Sequence, residues 1–275
     1  MQVVDTNKDN IPVSALYTSA TWHWGKLPCA DLVMPDGAKA LFRVVNAYMA
    51  LYCCLNPKKY SLQYMLLHRH TAINRLLKEA ACPQVIEIAS GFSPRGSMVS
   101  ADAGTHYYEV DLSEVVALKR KRLQISSEGS AVLARDNFEL VPGDITQLDF
   151  ATFPQRPSFI ITEGLMMYFK RDEQMRIWRN IAAHIKACGG EYVFDYIPLD
   201  VEPPRSALGA ALSRWRMRWQ KPSFAYDERT HLQIADDLRS AGFTQVDVYK
   251  SADVARAWHL PHSDIKTCVI VYRCR

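Results

Sequence analysis

The stretch that decides the fold is QVIEIASGFSPRG, residues 84–96, read together with YYEVDLSEVVALKRKRL, residues 107–123. The first is an apolar run carrying one acid, Glu87, and broken by a turn at Gly91. The second is another apolar run, ending on Asp111, 20 residues after Gly91. A strand, a tight turn, a helix and a second strand tipped by a carboxylate make one nucleoside-binding half of an open α/β sheet. The glycine lets the backbone come close to a ligand. The carboxylate is placed to accept hydrogen bonds from ribose hydroxyls.

Outward from this unit, strand and helix patterns alternate. Strands are expected at HYYEVDL (106–112), FELVPGD (138–144), SFIITEG (158–164) and EYVFDYI (191–197). Helical spacing follows most of them, as in SEVVALKRKRL with Ser113 as N-cap, and in RDEQMRIWRNIAAHIKACGG (171–190), which closes on a glycine pair. That order argues for a mostly parallel sheet. FTQVDVYK (243–250) and TCVIVYRC (267–274) are joined by a 16-residue loop without a strong helical pattern. Such a connection favours an antiparallel terminal hairpin. Residues 1–83 read as a helical cap or lid, with ALFRVVNAYMALYC (40–53) and SLQYMLLHRHTAINRLLKEA (61–80) at helical spacing around the Asn56-Pro57 break. The α/β core is then residues 84–275, with an insert at about 199–226.

Composition narrows the class. A chain of 275 residues with 48% hydrophobic content suits one large α/β domain with a cap. The net charge of +4 is mild, and no basic stripe alternates with aromatics, so no nucleic-acid partner is expected. No apolar run approaches the ~18 residues that span a bilayer, and the first residues lack a secretory apolar region. Seven cysteines without a CxxC pair predict free thiols in a reduced, cytoplasmic protein and no metal site. A nicotinamide dehydrogenase is disfavoured, because ASGFSPRG lacks G-x-G-x-x-G and the terminal hairpin replaces a second βαβ half.

With VIEIASGFSPRG, YYEVDLSEVVALKRKRL, GDITQLDF and ITEGLMMYF in this order, the chain resembles S-adenosylmethionine-dependent methyltransferases. The type is that of the leucine carboxyl methyltransferases and their bacterial relatives in polyketide O-methylation. The likeness runs from about Tyr17 onward. It implies a class I methyltransferase fold, Rossmann-like, with S-adenosylmethionine as methyl donor and S-adenosylhomocysteine as product. By the same resemblance, Arg69 meets the methionine carboxylate, and Glu87, Ala89 and Gly91 line the turn. Asp111 binds the ribose, Asp144 and Ile145 flank the adenine, Glu163 sits near the methionine amino group, and Tyr168 faces the acceptor. The chain departs from the family pattern at Ala89, where the first turn glycine stands, and at Ser93-Pro94, where the family has an acid.

The implied reaction is O-methylation of a small molecule at a carboxyl or hydroxyl oxygen. The alternatives are carboxyl methylation of a protein C-terminus and a cofactor-binding protein without methylating activity. A carboxylate acceptor is ionised at neutral pH and needs a clamp; a phenol profits from a base. Candidates to orient the acceptor or take its proton are Tyr168, His23, His259 and His262. Each histidine has a plain alternative in loop or lid packing. The RWRMRW run (214–219) reads as an amphipathic cap helix or an aromatic pocket with an arginine clamp. KRKR (119–122) reads as a solvated helix face, Tyr48, Tyr52, Tyr60 and Tyr64 as packing residues, and His68 and His70 as structural.

Overall fold

The computed structural model describes residues 13–55, 61–198, 200, 229–265 and 267–275. Its helices are α1 (Val13–Trp24), α2 (Ala30–Val33), α3 (Ala38–Leu55), α4 (Leu62–Ala80), α5 (Arg95–Val99), α6 (Ser113–Leu123), α7 (Ser127–Leu133), α8 (Arg171–Cys188), α9 (His231–Ala241) and α10 (Ser251–Val254). Its strands are β1 (Gln84–Ile88), β2 (His106–Asp111), β3 (Phe138–Pro142), β4 (Ser158–Thr162), β5 (Gly190–Tyr196), β6 (Val246–Lys250) and β7 (Ile270–Cys274). The RWRMRW run and the side chains of Tyr52 and Tyr60 lie outside what is described.

The strands form one sheet in the order β3-β2-β1-β4-β5-β7-β6. β1 to β5 are parallel, and β7 is antiparallel to both β5 and β6. The α/β class, the parallel sheet and the terminal hairpin are therefore as the sequence predicts. The loop after β6 differs: it opens with the short helix α10.

Both faces of the sheet are covered, which is why β1 and β4 are buried along their whole length rather than alternately. On one face Ile86, Ile160, Tyr192 and Phe194 meet Trp178 and Ile181 of α8 and Leu238 of α9. On the other, Val85, Phe159, Ile161 and Val193 meet Ile73 and Leu76 of α4 and Val116 of α6. α4 thus belongs to a layer against the sheet, while α1 to α3 pack outside it around Tyr17, Trp22, Ala30 and Leu66. Full burial of residues such as Phe159 or Trp178 is worth about 1.5–3 kcal/mol each.

Three local expectations change. Ser113 is the first helical residue of α6, and Leu112 holds the cap position. Asp111 serves this end instead, accepting the Leu112 N–H on Oδ1 at 2.8 Å. Lys119, read as part of a solvated face, is 1% exposed and paired with Glu109 of β2. It faces inward because Val115, Val116, Lys119 and Leu123 share the buried side of α6. Tyr48 is 52% exposed on α3 rather than packed in a core.

Gly190 opens β5 at φ +115°, and a Cβ there would strike the backbone of Ser158 on β4. Gly190→Ala combines a backbone penalty with overpacking between central strands. It should destabilise the protein by about 3 kcal/mol or more in urea unfolding.

Candidate functional site

Strand order reverses between β1 and β4, and ligands of open α/β sheets sit beyond the carboxyl ends of the strands at such a switch. Two groups of residues meet there. The first is the turn after β1. Ala89 and Gly91 both have positive φ, 55° and 51°. Gly91 N–H donates to Asp111 Oδ2 at 2.6 Å, which ties the turn to the tip of β2. Burial raises the Asp111 pKa, while the Gly91 and Leu112 N–H bonds oppose the rise. Its two oxygens retain lone pairs for a further donor. Among the described residues a Cβ on Gly91 would meet only Ala15 of α1, at 4.0 Å, so α1 lies over this turn.

The second group is a buried charge lattice. Arg69 of α4 donates to Glu163 at 3.0 Å and to Asp195 of β5 at 3.2 Å. Arg95 of α5 donates to Glu163 Oε2 at 2.5 Å and is paired with Glu87 of β1. Glu87 also accepts from the Tyr107 hydroxyl at 2.7 Å, and Arg95 reaches Asn74 at 2.5 Å. His70 Nδ1 lies 3.0 Å from Glu163 and 2.9 Å from Arg95 Nη2, and its ring lies tilted against Trp22 of α1 at 4.2 Å.

Burial lowers the His70 pKa, with Arg95 adding to the effect. The ring is therefore held toward its neutral form, with Nδ1 between the Glu163 carboxylate and the Arg95 guanidinium. Burial alone would raise the Glu163 pKa, but His70, Arg95 and Arg69 hold it well below the usual carboxylate range. Asp195 is raised by burial, with Arg69 opposing. Among the described residues the lattice joins two guanidiniums to three carboxylates, an excess of one negative charge.

Gly164 completes this corner. Its N–H donates to Asp195 at 2.5 Å, and at φ +67° a Cβ would press on the Arg69 guanidinium at 2.7 Å. Beneath the turn, Lys119 donates to the Ser93 carbonyl at 2.7 Å while paired with Glu109. Burial raises the Glu109 pKa to about 7 despite Lys119.

The family of leucine carboxyl methyltransferases matches residues 54–182. A protein of Mycobacterium ulcerans described as an S-adenosyl-L-methionine-dependent methyltransferase is 31% identical over 147 residues, 50% of this chain and 46% of its own length. One of Mycolicibacterium smegmatis, similarly described, is 24% identical over 191 residues, 68% of this chain and 62% of its own. Over residues 54–182 the chain is similar to the leucine carboxyl methyltransferases. It spans 38% to 62% of the length of the first relatives it matches. Among solved structures, a Nostoc punctiforme protein described as an O-methyltransferase superposes with TM-score 0.53 at 13% identity, over 98% of this chain and 74% of that one. PigF with S-adenosylhomocysteine superposes with TM-score 0.51 at 19% identity, over 78% and 59%. At such identity the likeness concerns the fold: it is that of class I methyltransferases.

Of the residues implied by the resemblance, Arg69 and Glu163 touch each other, and Gly91 and Asp111 touch each other. Glu87 is 1% exposed and turned toward Arg95 and Tyr107, beneath the turn. Asp144 is exposed and accepts from Thr146 N–H at 2.8 Å, with Ile145 buried beside it. Tyr168 is 39% exposed near Arg69. The histidines lie apart. His23 Nδ1 pairs with Asp31 at 2.6 Å, His262 stacks on Trp24 at 5.6 Å, and His259 is exposed. His68 is buried and bonds Pro261 O at 2.7 Å and Thr267 at 3.2 Å, which pins the β6–β7 loop to α4.

Arg95 and Asp195 were not signalled by the resemblance or the turn pattern. The available cue was Glu87 inside an otherwise apolar strand, since a buried acid needs a cation.

Two predictions follow from this geometry. Glu163→Gln leaves two buried guanidiniums under-compensated and should cost about 3–5 kcal/mol at pH 7. Because folding depresses the Glu163 pKa, its contribution is complete above the unfolded value of 4.5 and fades as pH falls below it. The gap between wild type and variant in urea unfolding should therefore be widest near neutral pH and narrow in acid. Ala89→Gly should raise stability by up to about 1 kcal/mol, because alanine occupies a left-handed backbone there.

Proposed function

We propose that the protein transfers a methyl group from S-adenosylmethionine to a carboxyl or hydroxyl oxygen of a small molecule. The observation that carries this reading is the meeting of the Gly91–Asp111 turn with the Arg69–Glu163–Asp195 corner at one end of the sheet. S-adenosylmethionine carries a sulfonium, an ammonium and a carboxylate, one positive charge in sum. That complements the single excess negative charge of the lattice. The groups present also match it piecewise: Arg69 for the carboxylate, Glu163 and Asp195 for the ammonium, Asp111 for the ribose. The open space at Gly91 admits a ligand against the backbone.

Bound there, the donor supplies a methyl group activated for displacement by oxygen. The contribution of the chain is to align and to desolvate, which can supply several kcal/mol of the barrier. Tyr168, exposed beside Arg69, is placed to orient the acceptor oxygen. A carboxylate acceptor needs no base, whereas a hydroxyl must lose its proton as the O–C bond forms. Oxygen as the acceptor atom is favoured by the carboxyl chemistry in the name of the matching family and by the description of the Nostoc punctiforme protein.

The test is calorimetric titration of wild type and Asp111→Ala with S-adenosylmethionine. Loss of charged hydrogen bonds should weaken binding roughly tenfold to a hundredfold with an unchanged circular dichroism spectrum. Unchanged affinity would overturn the site. Formation of S-adenosylhomocysteine with a panel of small acids and phenols then identifies the acceptor class.

A further inference from the structure

A cavity lies outside the charge lattice. It has a volume of about 640 Å³, is open to one side, and is lined by the end of α1, the α1–α2 turn, α2 and the first two turns of α3. That is the size range of small-molecule sites. Its lining includes none of Arg69, Gly91, Asp111 or Glu163. α1 stands between the two places. Ala15 on one side meets the Gly91 turn and Trp22 packs on His70, while Ala20, His23 and Trp24 line the cavity.

The wall is divided by chemistry. Its apolar part is Ala20, Trp24, Leu27, Ala30 and Phe42, buried or half-buried, with the Trp24 and Phe42 rings 6.1 Å apart. Its rim is Lys26, Lys39 and Arg43, all exposed. Among the described residues none of these three cations makes an ion pair, and the one carboxylate of the lining, Asp31, is engaged by His23. Lys26 also adopts φ 54° at the end of α1, a cap conformation that glycine usually supplies. A lysine held in that conformation presents a charge where glycine would present none, and backbone strain of this kind concentrates at ligand sites.

We propose that this cavity binds an apolar carboxylic acid, its aromatic or alkyl body against Trp24, Leu27 and Phe42 and its carboxylate among Lys26, Lys39 and Arg43. The site is separate from the cofactor reading above, and the two stand or fall independently. Cations with no ion pair among the described residues, set around an apolar floor, favour an anion over a neutral or cationic ligand of the same shape, because the floor rewards the body equally in each case.

The experiment titrates the full chain with 4-phenylbutyrate, 4-phenylbutanol and 4-phenylbutylamine. The acid should bind at least tenfold more tightly than the alcohol, and the amine more weakly than either. That preference should shrink as salt rises, since an exposed rim is screened. In the Lys39→Ala/Arg43→Ala double variant the preference for acid should collapse while the affinity for the alcohol stays. Phe42→Ala should weaken both. Equal affinity of acid and alcohol in the wild type overturns the proposal, as does an acid preference that survives both the double variant and high salt. Affinity for S-adenosylmethionine, measured on the same samples, reports on folding and on the cofactor site separately.

Discussion

Everything at the carboxyl end of the sheet depends on one buried guanidinium. Arg95 is fully enclosed, and its planar fork bonds Glu87, Glu163 and Asn74 at once. A lysine could not span these partners, because an ammonium is a point charge without the fork. Through Arg95, β1, β4 and α4 are fixed to α5, and α5 is the helix that follows the Gly91 turn. Removing several charges from water is costly, and it is tolerated only where each is answered. The lattice answers them in series, from Glu87 through Arg95, Glu163 and Arg69 to Asp195, so a shift at one strand tip is felt at the others.

How far the sequence reveals this depends on what kind of pattern encodes it. Strand positions come from apolar runs five to seven residues long between turn residues, and all five parallel strands lie where those runs do. The terminal hairpin is legible for the same reason. Gly91 and Asp111 are legible because their spacing belongs to a repeated supersecondary unit. Arg95, Asp195 and Lys119 are not, because each is a charge whose partner lies on another strand or helix, and no local spacing pairs them. In a single sequence an interior Lys119 looks like its exposed neighbours Arg120 and Lys121. Only the inward phase of Val115, Val116 and Leu123 distinguishes it. The start of helix α9 is capped locally, Thr230 and Gln233 exchanging backbone and side-chain bonds across its first turn.

The site residues divide along the same line. Those placed by a turn or a strand tip, such as Gly91, Asp111 and Glu163, occur together. Those chosen for their chemistry alone scatter. His23, His259 and His262 lie on α1 and on the loop before β7, and only His262 is drawn in, by its stack on Trp24 and its edge contact with Tyr64 at 5.0 Å. Titratable side chains in loops carry no periodicity, so their neighbours are settled by tertiary packing.

The order of strands at the far edge has a consequence in time. β6 precedes β7 along the chain, yet β7 lies between β6 and β5. As the chain is made, β6 emerges with no strand of the sheet to pair with, and β5 stays a bare edge. Only when residues Ile270 to Cys274 arrive do both gain their partner, closing a contact between Tyr196 and Ile270 across a long intervening segment. Pairings of such separation are slow to form. An incomplete chain would carry two unsatisfied strands, the condition under which sheets recruit strands from other molecules. Demand for chaperone protection should therefore be concentrated in the last moments of synthesis of this sheet, after the parallel half has everything it needs to fold.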